Sequence, residues 1–254
     1  MKRRAEQTEN VADYDVRSPA IRTVITVAST LVAVSAVAAL VLGASILTRD
    51  TRVATSQVDL GGVAVLTVIA TDADVRIVEG EPDLLTLTAS ITSGLRKTDY
   101  QVGRRGDEIK IVSECQTWLN PGCGVAATLK VPPGIPLIIR TTTGDIRANS
   151  ISEGVLTVSA TTGNIRATGL GVDEFSAETT GGSIGADFST QPFAFKATTS
   201  SGDVRALIPS GDRTYDVMTE TISGSVDSEL TSDSSGDGFV RVTTGRGNIK
   251  LLTN

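Results

Sequence analysis

The decapeptide TTTGDIRANS at residues 141–150 returns as TTGNIRATGL at 161–170, and the likeness continues to the end of the chain. Glycine sets the register. Gly144, Gly163, Gly182, Gly202, Gly224 and Gly247 recur at intervals of 19 to 23 residues. Seven positions before each glycine stand Leu137, Leu156, Phe175, Phe195, Val217 and Val240. Five before stand Ile139, Val158, Ala177, Ala197, Thr219 and Val242. Two after stand Ile146, Ile165, Ile184, Val204, Val226 and Ile249; four after, Ala148, Ala167, Ala186, Ala206, Ser228 and Leu251. A period of two along each arm is that of a strand with one buried face. Units this short cannot bury that face alone and must stack on their neighbours.

The pattern predicts an all-β fold, a parallel β-solenoid of about 19–23 residues per coil. Each coil adds one rung to each of two sheets, and six rungs at ~4.8 Å make a rod of about 29 Å. The alternative is an antiparallel sandwich or meander, which also alternates but needs no fixed interval. The glycines mark a corner that requires positive φ or close backbone approach. The residues after them, Asp145, Asn164, Ser183, Asp203, Ser225 and Asn248, suit turns, where short polar side chains bond nearby backbone. Residues 136–254 hold the regular coils. Residues 49–135 carry a degenerate version, with Ala73 in the glycine place, and are expected to form first coils or a cap. In this reading the last coil ends at Asn254 without a cap, leaving an open edge.

No charged residue occurs from Thr23 to Thr48. As a helix that stretch would be about 39 Å long, against a hydrocarbon core of ~30 Å. It is longer than the apolar core of a cleaved signal peptide and begins later, although Gly43, Ala44 and Ser45 are small enough for cleavage. The prediction is an uncleaved transmembrane helix at 23–48. Lys2, Arg3, Arg4, Arg17 and Arg22 precede it, and Arg49 and Arg52 follow closely. This bias places the tail 1–22, read as disordered, in the cytoplasm and the C-terminal bulk outside. The partner expected of 23–48 is the lipid bilayer of the cell membrane.

Composition removes several chemistries. The chain has no histidine, which excludes Ser-His-Asp and Cys-His nucleophile systems and His-ligated metals. Net charge is −6, and residues 1–52 sum to +2, so the rest carries −8. A nucleic-acid partner gains nothing from that balance. The two cysteines, Cys115 and Cys123, flank the turn signal Asn120-Pro121-Gly122. Two thiols without histidine cannot complete a metal site, and a disulfide fits an exported domain.

The segments DADVRIVEG, then ATLKVPPG leading into TTTGDIRA, then the repeated TTG-N/D-I, resemble those of bacterial β-strand-repeat envelope proteins of unknown function that are grouped as adhesin-like. The resemblance covers about residues 55–254. It implies an elongated β-repeat domain, often behind one membrane span, without established enzymatic activity. It brings no catalytic residues to carry over.

No catalytic, cofactor-binding or metal-binding residue is assigned, and no cofactor is expected. Arg147, Arg166 and Arg205 fall at the third position after their glycines and form a partial basic ladder on the outer face. Asp145, Asp203, Asp187 and Asp227 are the outward acids that a lyase-like β-helix enzyme would need, the minor alternative. The main expectation is a membrane-anchored structural or adhesin-like module of the envelope, meeting an unidentified envelope protein or glycan, with self-association left open. The other alternative is an envelope sensor signalling through the short tail.

Overall fold

The computed structural model describes residues 19–47, 49–115 and 122–254; within the first helix it describes the side chains of 28, 31–44 and 47. The 1–22 tail, except for its last four residues, and Trp118 of the cysteine loop lie outside. Helix α1 runs Pro19–Leu47, starting four residues ahead of the predicted 23. Proline suits a first helical position, where no backbone N–H is needed. Among the described residues no helix is long and apolar enough to cross a membrane. The longest run of described side chains in α1, 31–44, is shorter than the ~20 residues a span takes.

Strand β1 (Asp50–Asp59) follows, then β2 (Leu66–Thr71), β3 (Ala73–Glu79), β4 (Leu84–Ser93), β5 (Asp99–Arg105), β6 (Glu108–Glu114) and β7 (Gly124–Val131). The regular coils are strand pairs. They comprise β8 (Leu137–Thr143) with β9 (Ile146–Asn149), β10 (Val155–Thr162) with β11 (Ile165–Leu170), and β12 (Glu174–Gly181) with β13 (Ile184–Phe188). After them come β14 (Ala194–Ser201) with β15 (Val204–Ile208), β16 (Tyr215–Ser223) with β17 (Val226–Ser228), and β18 (Gly238–Arg246) with β19 (Ile249–Thr253).

Two sheets result. One has the order β1-β4-β7-β3-β9-β11-β13-β15-β19-β17; the other β16-β18-β14-β12-β10-β8-β2-β6-β5. From β2 and β3 upward every pairing is parallel, which is a solenoid and not an antiparallel sandwich. The repeat columns become ladders. Leu137 pairs with Leu156, Leu156 with Phe175, and Phe175 with Phe195. Where the column carries phenylalanine, the rings of Phe175 and Phe195 stack at 6.0 Å, and Phe188 meets them edge-on at 6.1 and 5.4 Å. These are favoured aromatic geometries, and they fill the wider part of a core otherwise built from Val, Ile, Leu and Ala.

The coils do not stack in chain order at either end. Coil β6/β7 lies outside β2/β3, so β2/β3 pairs directly with β8/β9. At the far end β18/β19 is inserted between β14/β15 and β16/β17. The expected open edge at Asn254 is therefore absent. Val240, Val242, Ile249 and Leu251 of the last coil in sequence are fully buried, while Val226 of β17, in register with Ile249, is 45% exposed. Placing coil β18/β19 one rung inside gives its backbone partners on both sides.

The outermost coil is also capped. Segment 229–237 folds over it: Asp233 N donates to the Tyr215 carbonyl at 2.8 Å, and Val217 N to Ser232 Oγ at 3.1 Å. Leu230 packs against the core, and the Glu229 carboxylate accepts from Thr253 N at 2.9 Å. Asp233 accepts Ser235 Oγ and N at 2.6 and 2.9 Å, and the hydroxyl bond above all holds its carboxyl below the usual range. Tyr215 is buried, its hydroxyl donating to the Pro192 carbonyl at 2.9 Å. Burial pushes this phenol up to about 12, with Asp237 adding to the rise and Arg213 opposing it.

Two outcomes follow from these ends. Truncation after Asp237 should make 209–237 protease-sensitive while 137–208 stays resistant, because β16/β17 loses its only neighbour in each sheet; stacking in chain order would leave 209–237 protected. The Tyr215 phenol is neutral in the fold and its pKa is raised, so its stabilisation is complete below pH ~10 and is lost as pH rises toward about 12. Urea midpoints across that window should fall in the native chain, and the fall should be shallower in Tyr215→Phe.

Candidate interaction surfaces

The six glycines line up on one edge of the stack, with φ from +118° at Gly144 to +155° at Gly182. A Cβ on Gly163 would lie under 3.0 Å from the Gly144 carbonyl, on Gly182 from that of Gly163, on Gly202 from that of Gly182, on Gly247 from that of Gly202, and on Gly224 from that of Gly247. Both reasons for glycine therefore hold, conformation and closeness. Gly144 sits equally close to the Ala73 carbonyl. Ala73 takes the glycine place in its own coil, and Asp72 just before it has a positive φ, 48°.

Four of these glycine carbonyls also accept a hydroxyl from the adjoining coil. Thr179 bonds the Gly163 carbonyl at 3.1 Å, Thr199 that of Gly182 at 2.9 Å, Thr244 that of Gly202 at 2.9 Å and Thr221 that of Gly247 at 3.0 Å. Thr179, Thr199 and Thr244 are buried, and each bond satisfies a hydroxyl that would otherwise be costly to bury.

The polar residues after the glycines bond across coils: all but Ser225, on the outermost coil, accept from a backbone N–H of the next coil. Asp74 Oδ1 accepts from Asp145 N, Asp145 Oδ1 from Asn164 N, and Asn164 Oδ1 from Ser183 N, at 2.8, 2.9 and 3.0 Å. Ser183 Oγ then accepts from Asp203 N, Asp203 Oδ1 from Asn248 N, and Asn248 Oδ1 from Ser225 N, at 3.2, 2.7 and 3.0 Å. The ladder follows the spatial order of coils, with 248 before 225. Asp145 also binds Arg147 at 2.7 Å. Asp145 and Asp203, candidate acids for a lyase, thus serve as ladder acceptors. Asp187 is exposed on the outer face, and Asp227 pairs with Lys250 at 3.4 Å.

On the outer face beside this ladder the register aligns Arg76, Arg147, Arg166, Gly185, Arg205 and Lys250. The sequence named three of these; Arg76 and Lys250 join them through the strand order. Gly185 interrupts the column and floors a shallow groove of about 500 Å³ walled by Arg166 and Arg205, with Asp145 and Asp203 at its rim. Cys115 and Cys123 form a disulfide with Cα atoms 5.9 Å apart, closing the loop between β6 and β7. Among the described residues no cluster of side chains suits a metal ion.

This geometry defines a two-sheeted parallel β-solenoid with a glycine corner. Residues 136–252 match the model of the family described as Toastrack DUF4097. A solved "putative cell adhesion protein" from Clostridium sporogenes ATCC 15579 shares the fold at TM-score 0.52 and 11% identity, covering 81% of this chain and 100% of its own. A "putative adhesin" from Bacteroides fragilis NCTC 9343 aligns at TM-score 0.46 and 12% identity over 79% of this chain and 97% of its own. No curated protein matches the sequence.

Two glycines one coil position apart in role separate corner from surface. Gly182→Ala should destabilise by about 2–4 kcal/mol, from strain at φ +155° and collision with the Gly163 carbonyl. Gly185→Ala, with open space around its Cβ, should stay within about 0.5 kcal/mol of the native chain. Urea denaturation midpoints at constant slope measure both.

Proposed function

We propose that this chain is a single-pass envelope protein whose solenoid stands outside the cell membrane as an adhesin-like interaction module without enzymatic activity. One observation carries the anchor. The described side chains of α1 are apolar but for Ser35, whose hydroxyl donates to the Leu31 carbonyl, and are exposed around the helix: Leu31, Val32, Val34, Val37 and Leu40 are 59–73% exposed. A helix that is apolar on all sides and unburied by its own domain needs an apolar solvent. The absence of charge over 23–48, the Lys/Arg excess before it and the disulfide beyond it support the same orientation. For the module itself, the support is a rigid polar rod that spends its acids on holding coils together and offers a broad outer face. The fold likeness to the Clostridium sporogenes "putative cell adhesion protein" agrees with that reading.

A phosphatase reporter active only outside the cytoplasm should be active when fused after Asn254 and inactive when fused within the 1–18 tail. The reverse pattern overturns the orientation, and activity of neither the anchor. Photocrosslinking from the Arg166–Arg205 groove on intact cells should capture an envelope protein or glycan; adducts to solvent alone would argue against an interaction module.

A further inference from the structure

The chain passes from Leu47 of α1 to Asp50 of β1 in two residues, so one corner of the solenoid base stays beside the end of the helix. Three other segments meet there. Asp50 pairs with Ser93, the last residue of β4, and Thr92 pairs with both Thr51 and Gly124. The Arg49 guanidinium lies over Gly122, where a Cβ would stand, against the disulfide loop.

From this corner projects the loop 94–97, Gly-Leu-Arg-Lys. It is firmly built. Thr98 is 1% exposed; its hydroxyl donates to the Thr92 carbonyl at 2.7 Å and its N–H to Ser93 Oγ at 3.0 Å. Arg52 Nη2 donates to the Thr98 carbonyl at 3.2 Å. A loop whose stem residue Thr98 is buried and hydrogen-bonded nevertheless presents Leu95 at 48% exposure, with Arg96 and Lys97 exposed beside it. Arg49, Arg52, Arg96 and Lys97 share this corner with Asp50, Asp99 and Glu114, the residue paired with Asp99 across β5 and β6, whereas residues 53–254 carry −8. Cations have been gathered at the one corner tethered to α1.

We infer that this corner docks on anionic phospholipid headgroups, with Leu95 entering the interface and Arg96 and Lys97 meeting phosphates, so that the solenoid is held at a fixed attitude to the membrane. The inference rests on the anchor proposed for α1. An apolar tip flanked by basic residues is the composition of an interfacial contact, and basic residues within a Debye length of an anionic surface are attracted to it. It also gives Arg49 and Arg52 a role on the exported side, where the charge bias of a membrane span would otherwise disfavour them.

The test uses the full-length chain in vesicles of phosphatidylcholine alone or with a third phosphatidylglycerol. Hydrogen exchange at 94–97 should slow at least about fivefold in the anionic vesicles. The distal 229–237 segment should not respond, and R96E/K97E should lose the effect. Equal exchange at 94–97 in both vesicles overturns the docking. An alkaline carbonate wash reads the anchor separately. Retained protein with equal exchange keeps the anchor and removes the docking. Released protein that was still protected at 94–97 removes the anchor and keeps the corner as a peripheral contact.

Discussion

How near one coil may come to the next is decided at a single place, the glycine corner. There the backbone of each coil rests against the carbonyl of its neighbour with no room for a Cβ, from Gly144 on Ala73 to Gly224 on Gly247. The carbonyl so covered accepts from a buried threonine, and the next residue's side chain bonds the N–H one coil away. Contact, inner hydroxyl and outer side-chain ladder act on the same few atoms. They fix the rung spacing that the two sheets then propagate, so register in the sheets is inherited from the corner. The structure thereby avoids the slippage open to flat parallel strands rich in threonine.

A stack built this way has two raw ends, and both are treated alike. A coil from near each end of the solenoid sequence is placed one rung inside: at the base the later coil β6/β7 lies outside β2/β3, and at the far end the later coil β18/β19 returns inside β16/β17. At the base the outer rung continues into the antiparallel strands β4 with β1 and β5 with β6. At the far end it is closed by segment 229–237 and Tyr215. Coil β18/β19 gains neighbours on both sides, and the exposed edge at the far end falls to β16/β17.

Much of this was legible before any coordinates. The columns around the glycines identified strands, buried faces and the corner, because periodicity reports burial directly. They could not report stacking order, since every coil offers the same two rows and any permutation satisfies them. A signal was present all the same. Thr219 and Ser228 are the polar members of otherwise apolar columns, and both belong to the outermost coil; Val242 and Leu251, their counterparts in the last coil of the sequence, are fully buried. The basic column was read only in part, because Arg76 and Lys250 join it through pairings between coils not adjacent in sequence.

The same economy restricts where specificity can reside. Inward positions are committed to the core, the glycine and its two neighbouring columns to stacking, and Asp145 and Asp203 to the ladder. What remains free to vary is the outer row of each sheet and the loops at the ends. Gly185 shows how the outer row can be shaped without disturbing the fold: deleting one side chain from the basic column opens a groove between Arg166 and Arg205 while every backbone pairing around it persists. Recognition by such a rod is then a matter of which outward side chains stand at which rung. The corner sets the separation of those rungs, at ~4.8 Å, so a ligand with its own linear repeat would be read against a fixed ruler.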